Sequence, residues 1–88
     1  MKVENMTSNK GNKIANQFII YDDDKVYFQS YDSTIALKVD SECFTYLDEK
    51  FWNYSKTTSK YRNIFLNMSS KEIESGIKDG SILLINLN

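Results

Sequence analysis

Few side chains in this chain are suited to catalysis. It contains no histidine, which removes the commonest general base and the commonest metal ligand. The single cysteine, Cys43, has no imidazole to activate its thiol, and its place in a predicted strand favours a small buried apolar role. Asp48 and Glu49 are neighbours in that strand, where successive side chains point to opposite faces. We therefore expect a protein that is not an enzyme and has no cofactor. A deep pocket lined by Asp48 or Glu49 is the feature that would support an enzymatic function.

A run of three carboxylates, Asp22, Asp23 and Asp24, offers oxygen ligands of the kind that bind calcium. A calcium-binding loop that starts at Asp22 needs glycine at its sixth position and glutamate at its twelfth, where this chain has Tyr27 and Ser33. No zinc-ligand spacing, glycine-rich phosphate loop or nucleophile elbow occurs elsewhere. The sequence thus predicts no metal site. It predicts a solvated turn at Asp22, Asp23 and Asp24, which is a second candidate contact patch.

Charge is segregated along the chain, although the net charge is only −1. Residues 22–49 are mostly acidic, whereas residues 50–71 contain five cations and no acid: Lys50, Lys56, Lys60, Arg62 and Lys71. The basic stretch is interleaved with aromatic residues, and cations beside aromatics suit phosphate contact and base stacking. The same pattern also fits an acidic protein surface, the chain's own acidic segment, or a solvated face above an aromatic core.

The candidate partner-binding residues lie in this basic stretch: Tyr54, Lys56, Lys60, Arg62 and Asn63. Within the same stretch, Tyr61, Ile64, Phe65 and Met68 recur at helical spacing, with Thr58 or Ser59 in the N-cap position. The stripe predicts a helix whose other residues, Arg62 among them, face water or a partner. A second helix is predicted over residues 69–79, because Ser69 and Glu72 fit a capping box and Gly80 fits a helix stop.

Alternating apolar residues predict strands over residues 13–21, 26–31, 35–39 and 43–48, joined by short polar turns. A short apolar run over residues 81–87 predicts a fifth strand, buried on both faces for part of its length. The predicted fold is α+β: an antiparallel four- to five-stranded meander with two short helices on one face. The side chains expected to fill the gap between helices and sheet are Trp52, Tyr61, Phe65 and Ile77.

Length and composition predict one domain over residues 13–88, preceded by a flexible arm over residues 1–12. With one cysteine, no intrachain disulfide forms, and the chain is typical of a cytoplasmic protein. No apolar run is long enough to span a membrane, and no signal peptide precedes the domain. We expect a monomer, or a homodimer formed through the closing strand.

Three segments carry a resemblance: VYFQSYDS at residues 26–33, YLDE at 46–49, and WNYSKTTSKYRN with FL at 52–66. In these segments the chain resembles an uncharacterised family of small bacteriophage proteins, and the similarity extends from about Gly11 to the closing Asn86-Leu87-Asn88. The resemblance implies a phage or prophage gene that acts in the cytoplasm of a bacterial host. It supplies no functional residues.

Two functions follow as hypotheses. The first is a non-enzymatic binding protein that occupies the surface of a host bacterial protein, in its most concrete form an inhibitor of a bacterial defence system of the anti-CRISPR kind. The alternative is a nucleic-acid-binding accessory factor that uses the basic, aromatic-rich face of residues 50–71.

Overall fold

A computed structural model describes residues 1–88 and confirms the α+β class, with one six-stranded sheet and two helices. The elements are β1 (Lys2–Thr7), β2 (Lys13–Asp22), β3 (Lys25–Ser30), β4 (Ser33–Val39), β5 (Phe44–Asp48), α1 (Lys56–Leu66), α2 (Ser70–Asp79) and β6 (Ile82–Ile85). The strands lie in the sheet in chain order. Neither helix is long and apolar enough to cross a membrane.

The sheet gains a strand at the N-terminus, where the sequence analysis expected a flexible arm over residues 1–12. β1 pairs antiparallel with β2, and Val3 lies opposite Ile20. The register shifts between Asn5 and Thr7, and Met6 in this bulge is only 6% exposed. The bulge interrupts the alternation of apolar and polar residues, so that β1 lacks the pattern from which the other strands are predicted.

The closing strand also differs from its prediction. β6 pairs with β5 in parallel, which requires a long crossover, and residues 49–81 supply one containing both helices. The sheet is therefore mixed rather than wholly antiparallel. β6 lies at the sheet edge: Ile82 is 3% exposed, whereas Leu83 and Leu84 are 44% and 38% exposed. A short apolar run has the same appearance in a buried strand and in an edge strand.

Helix α1 begins earlier than predicted, because Ser55 rather than Thr58 or Ser59 is its N-cap. The Ser55 Oγ accepts the Thr58 N–H at 3.1 Å. Thr58 is buried instead, and its hydroxyl bonds to the Ser30 hydroxyl on β3 at 2.9 Å. At the other end, Lys38 of β4 donates to the Phe65 carbonyl at 3.1 Å, so a cation from the sheet meets the negative end of the helix dipole.

Helix α2 follows its prediction closely. Ser69 Oγ accepts the Glu72 N–H at 3.2 Å, and the Glu72 carboxylate accepts the Ser69 N–H at 3.0 Å, which completes the capping box. Gly80 ends the helix in the left-handed region, with φ of 86°.

The core lies between the helices and one face of the sheet. It consists of eight buried apolar residues: Met6, Phe28, Ile35, Ala36, Leu47, Phe65, Ile73 and Ile82. Phe28 and Phe65 stack with ring centroids 5.7 Å apart. Of the predicted gap-filling residues, Phe65 belongs to this cluster, whereas Trp52, Tyr61 and Ile77 are partly buried against it.

Candidate functional site

Arg62, which the sequence analysis placed among the exposed contact residues, is 1% exposed. Its Nη1 donates to the Trp52 carbonyl at 2.5 Å and to Asn53 Oδ1 at 3.3 Å. Its Nη2 and Nε donate to Asn63 Oδ1 at 2.8 and 3.1 Å, and the guanidinium lies 5.4 Å from the centre of the Trp52 ring. Burial lowers the pKa of Arg62, and the negative charge of Glu74 acts in the opposite direction. The residue holds the fold together and is not free to contact a partner.

The reason for this correction is the face that α1 buries. Its buried residues are Thr58, Arg62 and Phe65, at i, i+4 and i+7, whereas Ile64 of the predicted stripe is 57% exposed. Met68 lies beyond the helix, which ends at Leu66. A charged residue joins the buried stripe because the preceding loop supplies acceptors for its donors.

The loop of residues 51–55 is fixed by these contacts. Asn53 Oδ1 accepts both from Arg62 and from the Ser59 hydroxyl, the latter at 3.0 Å. Phe51 and Tyr54 pack edge to face with ring centroids 5.5 Å apart. The loop therefore enters α1 in one defined conformation.

Three of the predicted contact residues do lie on the surface, where this loop meets the first turns of α1: Tyr54, Lys56 and Lys60. Tyr54 is 47% exposed, and both lysines are exposed. The lysines are one helical turn apart and therefore share a side of α1. Lys60 Nζ lies 5.3 Å from the centre of the Tyr61 ring. We call these three residues the basic face.

Asn63, the remaining predicted contact residue of this stretch, is half-buried and engaged. Its oxygen accepts from Arg62, and its Nδ2 donates to the Ser70 hydroxyl at 3.0 Å. Beside the basic face, a shallow depression of about 340 Å³ is lined by Asn53, Tyr54, Ser55, Lys56 and Ser59.

The acidic turn lies elsewhere. Asp24 accepts from the Ser41 hydroxyl and, through its carbonyl, from the Asp40 N–H at 2.9 Å, so the turn is joined to the β4–β5 turn. Asp22 is half-buried, Asp23 and Asp24 are exposed, and Asp23 takes the left-handed conformation that aspartate tolerates.

The acidic turn and the basic face lie at opposite ends of β3. Asp22 is paired with Lys25 at its start, and Thr58 of α1 is bonded to Ser30 at its end. At about 3.3 Å of rise per residue, these ends are on the order of 17 Å apart. The structure therefore does not bring the two predicted patches into one site.

Asp48 and Glu49, which are neighbours in the sequence, do not form a carboxylate pair in the structure. Asp48 is 1% exposed, and its carboxylate accepts backbone N–H groups of Lys50, Phe51 and Leu87 at 3.0, 2.9 and 2.8 Å. Burial acts to raise the pKa of Asp48, but the hydrogen bonds from Leu87, Phe51 and Lys50 outweigh it and lower that pKa. Glu49 is exposed in the following turn. Asp48 thus joins β5, the loop and the C-terminus.

Cys43 does not take the buried strand position expected from the sequence. It lies in the turn before β5, is exposed, and has a φ of 51°. Its thiol donates to the Asp40 carbonyl at 3.6 Å. No group of three or more histidine, cysteine, aspartate or glutamate side chains is arranged to hold a metal ion.

The sheet face opposite the helices was missed by the sequence analysis. Six directly paired residues form a row across all strands: Val3, Ile20, Tyr27, Leu37, Tyr46 and Leu83. Each adjoins a residue that points toward the helices, so the row points away from them. The alternation within β3 and β4 contained this signal, but the row depends on registers that only the structure provides. We call this surface the open sheet face.

No curated protein and no solved structure matches the chain with significant similarity. The model of a family of unknown function matches residues 1–80. The chain belongs to this family of unknown function, DUF8033.

Proposed function

We propose that the protein is a non-enzymatic binding protein whose basic face, Tyr54, Lys56 and Lys60, occupies an acidic patch on the surface of a host protein. Two lysines on adjacent helical turns provide charge complementarity, and a half-exposed tyrosine provides an aromatic anchor of the kind enriched in protein interfaces.

The observation that carries the proposal is the anchoring of the loop by buried Arg62. Its donors hold the Trp52 carbonyl and the Asn53 side chain, while Ser55 caps α1. Tyr54 lies between these fixed points along the chain, so its backbone loses little conformational entropy when the exposed side chain binds a partner. An exposed contact surface with a buried polar support is the arrangement that a preorganised binding site requires.

The setting belongs to the same proposal. The sequence resemblance to small bacteriophage proteins supports a setting in the cytoplasm of a bacterial host, and in this proposal the chain acts there by blocking a host surface sterically or electrostatically. Its most concrete form is an inhibitor of a bacterial defence system, of the anti-CRISPR kind. The acidic turn, Asp22, Asp23 and Asp24, is a second contact patch, at the other end of β3.

Nucleic-acid binding is the alternative use of the same face. Exposed Lys56 and Lys60 beside Tyr54 favour it, since phosphate contact and base stacking need these groups. The burial of Arg62 weakens it, because one of the five cations of residues 50–71 is removed from the surface. Nucleic-acid-binding domains usually carry a clear net positive charge, whereas this chain has a net charge of −1, so an acidic patch on a protein fits the remaining charge better.

The test is capture from bacterial lysate by the immobilised chain, with and without nuclease. Lys56→Glu/Lys60→Glu reverses the basic face, and Lys71→Glu/Lys78→Glu makes the same charge change at exposed positions of α2. We expect one host protein that survives nuclease treatment, binds the control variant, and binds the basic-face variant at least about tenfold more weakly. Retention that disappears with nuclease would establish the nucleic-acid alternative, and equal binding by both variants would exclude the basic face.

A further inference from the structure

We infer that the open sheet face is the interface with a second copy of this chain, which packs on it sheet against sheet. This inference is independent of the proposed function, because the row from Val3 to Leu83 and the basic face lie on opposite layers of the molecule.

The row is apolar from one edge of the sheet to the other. Val3 is 57% and Leu83 44% exposed at its ends, and Ile20, Tyr27 and Tyr46 are half-buried between them. Leu37 is 7% exposed, yet it is not part of the core cluster on the helix side. Its burial comes from neighbours on the open sheet face, so this face already forms a shallow apolar layer of its own.

The neighbours of the row extend this layer. Phe44 and Tyr46 lie on the same side with ring centroids 5.1 Å apart. Val39, opposite Phe44, is 7% exposed. A depression of about 440 Å³ opens there. Leu37, Val39, Tyr46 and Ile85 are the apolar half of its lining, and the polar half is Asp24, Lys25, Ser41 and Glu42. A facing side chain has a place to insert, as sheet-on-sheet packing requires.

The size of the face is that of a small interface. Six strands spaced by about 4.8 Å span about 24 Å, and strands of five to seven residues are about 17–23 Å long, which gives a projected area of roughly 400–550 Å². A patch of this size is near the upper limit of the apolar area that monomers leave exposed, whereas a standard interface buries about 800 Å² per partner. The face is therefore the size of a small, weak dimer interface, which is why the mass is measured over a range of concentrations.

The second copy is the occupant that the charges favour. No residue of the row is charged, so two copies of the face meet without repulsion. A two-fold axis in the plane between the sheets maps the row onto itself, apolar on apolar. At the rim, the β2–β3 turn carries three carboxylates against one lysine, and a two-fold axis parallel to the row keeps the two copies of this acidic turn at opposite ends of the interface. An acidic or basic partner finds no complementary charge at the centre of this face.

The experiment is the molar mass of the full chain, measured by light scattering on a sizing column over a range of concentrations. Ile20→Lys/Leu83→Lys places two charges in the row. Ile64→Lys is the matched control, because Ile64 is 57% exposed on the outer side of α1. We expect about twice the chain mass of 10.3 kDa for the wild type and Ile64→Lys, and 10.3 kDa for the row variant.

Circular dichroism shows whether each variant is folded. If the double variant is not, Val3→Lys at the exposed edge position replaces it, with the same expected halving of mass. A wild type that stays at 10.3 kDa up to about 1 mM would overturn the inference and leave the face to another partner. So would a dimer that persists in the folded row variant, or one that Ile64→Lys dissociates.

Discussion

At the scale of single residues, Arg62 connects the stability of the fold to the proposed binding surface. Its guanidinium satisfies one main-chain carbonyl and two side-chain amide oxygens beneath the loop of residues 51–55. Lysine has no fork of donors in fixed directions, so it cannot replace this set.

Arg62→Ala removes these donors and leaves buried acceptors unpaired. We expect a loss of about 3 kcal/mol in the free energy of unfolding, since hydrogen bonds to charged groups contribute about 1.5–3 kcal/mol each. Urea denaturation followed by fluorescence of Trp52, which lies against Arg62, measures it. Lys60→Ala, at an exposed position, should change the value by less than about 0.5 kcal/mol. Equal stabilities of the two variants would contradict the assigned role.

Asp48 gives a prediction in pH. The pKa of its carboxyl is lowered from the ordinary 3.8 in the folded chain, so the carboxylate stabilises the fold above pH 3.8. This contribution is lost as the pH falls through the lower, folded pKa. Asp48→Asn should cost about 1–3 kcal/mol at pH 7, because an amide N–H₂ faces backbone donors.

The difference between wild type and Asp48→Asn should shrink below pH 3.8, where the wild-type carboxylate also becomes protonated. Chemical denaturation at several pH values measures it. Glu72 and Asp79 also have lowered pKa values, but both chains share them and they cancel in the difference. A difference that is the same at pH 7 and at acid pH would contradict this account.

At the scale of elements, the sequence predicts what depends on neighbouring residues. The α2 limits follow from Ser69, Glu72 and Gly80, whose capping contacts lie within the helix itself. The hairpin of β2 and β3 follows from alternation on both sides of an aspartate turn. These signals are local, and the structure confirms them.

The elements that were predicted wrongly depend on distant partners. β1 is a strand because it pairs with β2. The parallel direction of β6 comes from its pairing with β5, from which it is separated in the chain by both helices. Likewise, a cation next to an apolar helical stripe gives the same sequence pattern whether its side chain is exposed to water or buried beneath a polar loop. Only the fold of residues 51–55 decides that Arg62 is buried.

The packing of α2 on β6 gives the prediction at this scale. A Cβ at Gly76 would lie 2.7 Å from Ile82 Cδ1 and 2.9 Å from its Cγ1, closer than atoms pack. Gly76→Ala should therefore destabilise by about 1–3 kcal/mol, although alanine favours a helix by about 1 kcal/mol over glycine.

Ile82→Val removes Cδ1, the nearer of these two atoms. It should lower the free energy of unfolding by about 1 kcal/mol in the wild-type background, but by less, or not at all, in the Gly76→Ala background. Thermal or urea unfolding of the two single variants and the double variant measures this coupling. Strict additivity of the two changes would show that the clash is absent.

At the scale of the whole molecule, the two layers have different surfaces. The helix layer presents the basic face over its anchored loop, and the sheet presents an uncharged apolar row. In a sheet-against-sheet dimer the helices point outward, so both copies keep Tyr54, Lys56 and Lys60 accessible. Partner binding and self-association are therefore predicted to be separable by mutation.

The most direct measurement is nuclease-treated lysate capture by four chains side by side: wild type, Lys56→Glu/Lys60→Glu, Lys71→Glu/Lys78→Glu and Ile20→Lys/Leu83→Lys. The account predicts that the same host protein is retained by the wild type, the α2 control and the row variant, and is lost only when the basic face is reversed. Retention of that protein by folded Lys56→Glu/Lys60→Glu would contradict the claim that this face is the binding site.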